Sequence, residues 1–464
     1  MIPENSRQLP YVGPRPFERV ERGLFFGRDK ETKDLLSLAF AHRVLLLYAQ
    51  SGAGKTSLLN AGLIPQFEEQ GFEVLPVARV GGLIPEGVNP AIILNLYVFN
   101  CLLSCSKGDI DLDNLLQMSL AEFLKKLPHH KDTKGFSSPR VLVFDQFEEL
   151  FTLFPERWRE REGFFQQILH AIDEDELLRL IFVIRDDYIA HLDSYVPLLS
   201  KAFPTRFRLE RLRMDAALQA ITGPLKSTNR TFAEGVAEQL VKDLLQIRVQ
   251  SITGETVKVE GEYVEPVQLQ VVCSSLWHEL PENVPIITYD HLQAFGDIDQ
   301  ALSMFYMKAI KSAVKIAGAR ESVLRNWFER NLITPAGTRG MVHRGPKKTG
   351  GIPNIAVDTL ENLHLIRGEW RAGAQWYELT HDRFIGPIQR SNYKWFRARE
   401  RRLTTLCIGL GMLFWTAGFI LLILKGSKLI YRSFMVLSIL FTVLAYMYLF
   451  PFLRRRLRKL FVRD

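Results

Sequence analysis

The stretch from Arg43 to Ser57 restricts this chain more than any other. Arg43–Tyr48 (RVLLLY) is an apolar run of strand length. Ala49-Gln-Ser-Gly-Ala-Gly-Lys-Thr-Ser57 follows without a gap, and Leu58, Leu59 and Leu63 then recur at helical spacing. A strand that breaks into a glycine-bearing loop and restarts as a helix turns backbone N–H groups toward one point, where an anion is stabilised. Gly52 and Gly54 give the backbone that freedom. Lys55 would reach β- and γ-phosphates, and Thr56 would offer its hydroxyl to Mg²⁺. Ser51, Ala53 and Ser57 complete the loop. One position departs from G-x-x-x-x-G-K-[ST]: Ala49 stands where the first glycine is usual.

Two further apolar runs supply charged ends. Arg140–Phe144 (RVLVF) ends in Asp145, a carboxylate placed to hold Mg²⁺ through water. Gln146 follows where an acid is common. Glu148 and Glu149 come next; either is placed to orient a water, and both equally suit an acidic helix N-terminus. Leu180–Ile184 (LIFVI) ends in Arg185-Asp186-Asp187-Tyr188. An arginine at the C-terminal end of a parallel strand lies on the ligand side. Arg185 is expected either to sense a γ-phosphate or to pair with Asp186 or Asp187.

At 464 residues the chain is long enough for two to four domains. Residues 214–250 and 262–330 carry helical periodicity, as in Phe232, Val236, Leu240 and Leu244. Leu102–Lys126 reads as helix and 128–138 as a polar linker. Thr338–Gly351 is rich in glycine and basic residues and reads as the wing of a winged helix. The four cysteines are too few and too scattered for a disulfide framework. No His/Asp/Glu cluster has metal-ligand spacing.

The net charge of +8 is local. Eleven Lys/Arg against one acid lie from Arg401 onward, leaving 48 Lys/Arg against 50 Asp/Glu before it. Nucleic acid is therefore not expected as a partner. Leu403–Leu424 and Ser433–Leu453 hold no charge, and each is long enough to cross a bilayer. The flanks carry five and six basic residues against three in the loop between them. The expectation is a transmembrane hairpin with both ends in the cytoplasm, in a multi-pass inner-membrane protein whose partner is the lipid bilayer. No secretion signal is expected, since residues 1–30 are polar and contain Pro10, Pro14 and Pro16.

Tyr11-Val-Gly-Pro-Arg-Pro-Phe17, Phe25-Phe-Gly-Arg28, the phosphate loop and Asp145-Gln-Phe-Glu-Glu-Leu-Phe151, in this order, resemble the STAND class of signal-transduction P-loop ATPases in its bacterial, novel STAND NTPase branch. The resemblance covers about residues 8–395. It implies nucleotide contacts from Tyr11, Gly13, Phe17, Gly27 and Arg28. Gly223-Pro224 resembles a short Gly-x-Pro-type element, and His381-Asp382 resembles the His-Asp pair of a winged-helix domain that meets the nucleotide in the closed state. The implied fold is an α/β P-loop NTPase with a parallel, AAA-like sheet, followed by helical and winged-helix domains; the two transmembrane helices expected from the apolar runs come after them and depart from the family plan. The divisions read from the chain are a nucleotide-associated segment (1–35), an ATPase core (36–213), a helical lid (214–310), a winged-helix-like domain (311–396), a hairpin (403–453) and a basic tail (454–464).

The resemblance further implies a switch that is closed with ADP and opens and self-associates with ATP; Gln146, where a catalytic acid is usual, adds the expectation of slow turnover. No internal repeat of the kind such proteins use for sensing follows the ATPase part. A sensor or trigger protein in trans is therefore expected. Antiphage defence by membrane disruption, with the hairpin as effector, is the role this layout implies. The alternative is a membrane-anchored ATP-binding scaffold without significant hydrolysis, favoured by Ala49 and Gln146.

Overall fold

The computed structural model describes residues 9–82, 84–85, 88–106, 112–127, 129–131, 135–195, 205–250, 256–281, 283–296, 298–335, 337–371, 374–423 and 428–449. Its centre is a parallel sheet of five strands: β1 (Val44–Ala49), β2 (Glu73–Val74), β3 (Arg140–Phe144), β4 (Leu178–Arg185) and β5 (Arg206–Arg208), in the order β2-β3-β4-β1-β5. Strands covered on both faces read as unbroken apolar runs rather than alternating ones. Side chains still alternate between the two faces. Leu45, Leu47, Val141, Val143, Ile181 and Val183 pack with Leu35 and Ala39 of α1 (Asp29–Ala41). Leu46, Leu142, Phe144, Leu180 and Phe182 face α4 (Leu96–Cys105), α5 (Leu120–Lys126) and α6 (Glu160–Glu174). On the α1 face, α2 (Lys55–Ser57) runs through a π-helical turn (Leu58–Leu63) into α3 (Ile64–Glu69), with Leu58, Leu59, Leu63 and Phe67 in the same cluster.

The stretch 102–126 is not one helix. α4 ends at Cys105, and α5 restarts at Leu120 behind a capping box of Ser119 and Glu122. Arg140, 1% exposed, fixes the neighbouring loop by donating to the Leu124 and Leu127 carbonyls and to Glu73.

Beyond the sheet, α7 (Met214–Thr222), α8 (Val236–Leu245), α9 (Pro266–Glu279), α10 (Ile298–Ala317) and α11 (Glu321–Trp327) form a helical body. Phe232 belongs to a short strand, β6 (Thr231–Phe232), rather than to α8. That strand pairs with β9 (Ile286–Ile287), and β7 (Gln246–Gln250) with β8 (Thr256–Glu260).

In Thr338–Gly351 lie β10 (Val342–His343) and β11 (Lys348–Thr349), the latter in a tight hairpin with β12 (Ile352–Pro353). The longer hairpin comes later, after α12 (Asn354–Asn362): β13 (Ile366–Arg371) pairs antiparallel with β14 (Ala374–Leu379). Tyr11, Ile221, Leu240, Leu302, Leu324, Leu360 and Leu379 share one apolar cluster. The helical body and the β13–β14 hairpin are therefore packed as a unit, with Tyr11 inserted into it.

The C-terminal runs require a correction. Among the described residues no helix is long and apolar enough to cross a membrane. The expected pair of transmembrane helices, and with it the multi-pass inner-membrane placement, is overturned. The first apolar run is not a separate helix but the second part of α13 (Ile385–Ile423), a 39-residue helix whose earlier turns carry Lys394, Arg397, Arg399, Arg401 and Arg402. The second run lies in α14 (Lys428–Leu449), whose first turns hold Lys428 and Arg432; its remaining residues and the basic tail (454–464) fall outside the described residues. α13 and α14 pack on each other, with Phe414 stacked on Phe441 at 5.4 Å and Ser438 donating to the Gly411 carbonyl at 3.0 Å.

The root of α13 is fixed by polar contacts. Asn392, fully buried, accepts from Tyr306 at 2.9 Å and from Arg325 at 3.0 Å, and donates to the Arg325 carbonyl at 3.1 Å.

Candidate functional site

Gly52 (φ +81°) and Gly54 (φ +95°) adopt the left-handed backbone that the loop after β1 requires. Lys55 leads α2 and folds back on the loop, donating to the Ala49 and Gln50 carbonyls at 3.0 and 3.3 Å. Burial holds its ammonium below the usual lysine range, and Glu148 pulls the other way. β3 ends beside it: Thr56 Oγ1 donates to Asp145 Oδ2 at 3.1 Å. A hydroxyl and a carboxylate this close are hard oxygen donors of the kind Mg²⁺ takes together with phosphate and water. Among the described residues no group of three or more His, Cys, Asp or Glu forms a metal cage.

The two glutamates both line the cavity but have different partners. Glu148 stands at the site, where it accepts from the Arg185 backbone N–H at 3.3 Å. Burial raises its carboxyl above the usual range, against the pull of Lys55 and Arg185. Glu149 is held by Arg79 and by the Gly81 N–H at 3.1 Å. Arg79 also donates to Gln146 Oε1 at 2.6 Å, fixing a residue with φ +54° directly after Asp145. Arg185, at the end of β4, pairs with Asp187 and lies over the Tyr188 ring. β4 lies between β1 and β3 in the sheet, so Lys55, Asp145 and Arg185 meet at one sheet end.

These groups line a cavity of about 360 Å³ together with Gly13, Phe17, Arg28 and the loop residues from Ser51 to Ser57. The N-terminal segment is attached to the loop helix: Phe17 N–H donates to Ser57 Oγ at 3.2 Å, and Asn60 donates to the Phe17 carbonyl at 3.2 Å. Arg28, 4% exposed, donates to the Ala53 carbonyl at 3.1 Å and the Glu210 carbonyl at 2.7 Å, joining the loop to the exit from the sheet.

Other expected site residues act from outside the cavity. Tyr11 donates to the Ile221 carbonyl at 2.7 Å. Gly27 (φ +83°) lies so close to Ala216 that a Cβ would strike its carbonyl. Gly223 leaves room for the Phe26 ring, and neither Gly223 nor Pro224 lines the cavity. His381 lies on the loop backbone, where a Cβ on Gly52 would come within 2.5 Å of its Cε1; its Nδ1 pairs with Glu265 at 2.8 Å. Burial works against the charge of Glu265, yet His381, Arg211 and Gln268 hold it below the usual carboxylate range.

Several lining residues carry no local sequence signal. Leu212, Ala220, Pro266, Val267 and Gln270 reach the cavity from the helical body. Arg367 reaches it from β13: its guanidinium donates to Ser51 Oγ and is held on its other side by Glu378. Their contribution depends on how segments over a hundred residues away fold back.

A family model described as Novel STAND NTPase 1 matches residues 10–385. The chain belongs to this family. The site of this STAND chain is accordingly that of a P-loop NTPase. No match was found among curated proteins.

Among solved structures, it is similar to a Walker-type ATPase of Pyrococcus abyssi at 16% identity and TM-score 0.42, over 82% of this chain and 99% of that one. It is also similar to the Aeropyrum pernix ORC2 protein, described as ADPNP–ADP complexes, at 13% identity and TM-score 0.41, over 85% and 99%. The Aeropyrum pernix ORC1 protein in complex with DNA follows at 12% identity and TM-score 0.36, over 81% and 94%.

Proposed function

We propose that this STAND NTPase is an adenine-nucleotide switch whose closed state is held by the winged-helix part against the phosphate loop. The observation that carries the reading is the pair of contacts from that part to adjacent loop residues: Arg367 on Ser51 and His381 on Gly52. A loop whose function was binding alone would not need a second body gripping it. The loop, Arg367 and Gly368 line one cavity, so phosphates bound in it would bear directly on the hairpin.

In this reading Ser51–Ser57 cradle the phosphates, Lys55 neutralises them, and Thr56 with Asp145 holds Mg²⁺. Glu148 orients the attacking water. Its carboxyl must be ionised to accept a proton, and burial opposes that, which fits slow turnover. Arg185 is the cation available to the terminal phosphate. ADP supports the closed state; ATP, loaded when a trigger protein binds, favours opening and self-association. A defence role, as the resemblance implies, would use such a switch.

The test is nucleotide exchange in the purified full chain. Lys55→Ala should abolish ADP binding. Arg367→Ala should bind ADP but release it about tenfold faster, since a hydrogen bond to a charged group contributes about 1.5–3 kcal/mol. Unchanged ADP release in Arg367→Ala and in His381→Ala would overturn the switch reading.

A further inference from the structure

One side chain that lines the cavity has an unpaired acceptor. Gln270, on α9, lines the cavity and is 8% exposed, yet its Oε1 has no hydrogen-bond partner. Buried acceptors are almost always paired, because an unpaired one forfeits its hydration without return. Phe25, Phe26, Leu212, Ala220 and Val267, which line the same cavity, carry no side-chain donor. Of the two cations that the N-terminal segment brings to the cavity, Arg15 is engaged by Glu21, and Arg28 by Ala53, Glu210 and Glu31. A ligand in the cavity can supply the donor that Gln270 Oε1 lacks.

We propose that Gln270 reads the purine base, with Oε1 accepting from the 6-amino group of adenine and Nε2 donating to N1. A carboxamide matches that edge with two parallel hydrogen bonds, one in each direction. Guanine presents three polar groups on the same edge. One carboxamide pairs with two of them and leaves the third against apolar side chains. A base with no donor on that edge leaves Oε1 unpaired. The inference rests on the nucleotide-site reading above and assigns its base selectivity to one residue of the helical body.

The experiment is calorimetric titration of the full chain with three probes: ADP, GDP and purine riboside 5′-diphosphate, which lacks the 6-amino group. ADP should bind at least about tenfold more tightly than either of the others. Gln270→Met, similar in length but without the carboxamide, should level the three affinities. Gln270→Asn, which retracts the carboxamide by one methylene, should also narrow the gap and serves if the methionine variant fails to fold. Equal wild-type affinity for ADP and purine riboside diphosphate overturns the role of Gln270, as does full discrimination retained in Gln270→Met. If that binding is still lost in Lys55→Ala, the site itself stands; if none of the probes binds the wild-type chain, both readings fall.

Discussion

At the scale of single residues, adjacent glutamates have different surroundings and so different expected phenotypes. Glu148 is buried beside Lys55 and Arg185, and burial keeps its proton on to higher pH than in an unfolded chain. A carboxyl with a raised folded-state pKa stabilises the fold fully below its unfolded value, and that contribution is lost as pH rises through the folded value. Glu148→Gln, which cannot ionise, should therefore melt above the wild type at pH 7, with the gap closing as pH falls toward the ordinary carboxylate range. ATP turnover should fall by about 10²–10⁴-fold while ADP affinity is kept. Scanning calorimetry across pH and a phosphate-release assay check the two parts. Glu149→Gln should do the reverse. It weakens the Arg79 pair and the Gly81 contact, costing about 1–2 kcal/mol of stability in denaturant titration. Its turnover should fall much less than that of Glu148→Gln.

At the scale of elements, what the sequence disclosed is what neighbouring residues decide among themselves. β1, the loop and α2 lie within a few residues of one another, and β3 and β4 announce themselves by apolar runs that end in charge. Arg367, Pro266 and Gln270 gave no such signal, because their place at the loop is set by the packing of the helical body and the β13–β14 hairpin. The C-terminal runs show the opposite failure: local apolarity was legible, but not the continuity of α13 with its charged first turns. That continuity makes α13 an extension of the body formed by the helices and the β13–β14 hairpin. Asn392 is its anchor, with Tyr306 and both the side chain and the carbonyl of Arg325 bonded to it. Asn392→Ala leaves a buried guanidinium with one partner fewer. It should cost about 3 kcal/mol or more, read as a lower midpoint in chemical denaturation, with loop-dependent ADP binding retained at low denaturant.

At the scale of the whole molecule, the switch requires that the two halves separate without either unfolding. The helical body and hairpin share one apolar cluster that runs from Ile221 to Leu379, while the faces of the parallel sheet are packed into two others. In the proposed switch the boundary to open is therefore the one bridged by Arg367, His381 and the Tyr11 segment, not one through the helical body. A ligand shifts such an equilibrium only by its differential affinity for the two states, and each 1.4 kcal/mol of lost closed-state contact is a tenfold shift. Removing both Arg367 and His381 from the loop takes away a charged hydrogen bond and the packing on Gly52, enough to move a closed ADP-bound population substantially toward open. Fluorescence energy transfer between a label on α1 and one on α12 should be high in the wild type with ADP and fall with a non-hydrolysable ATP analogue. In Arg367→Ala/His381→Ala it should already be low with ADP, and sedimentation should show concentration-dependent self-association without ATP. A double variant that stays in the high-transfer state with ADP would place the closing energy elsewhere, with the contact of Tyr11 on the Ile221 carbonyl as the next site to remove.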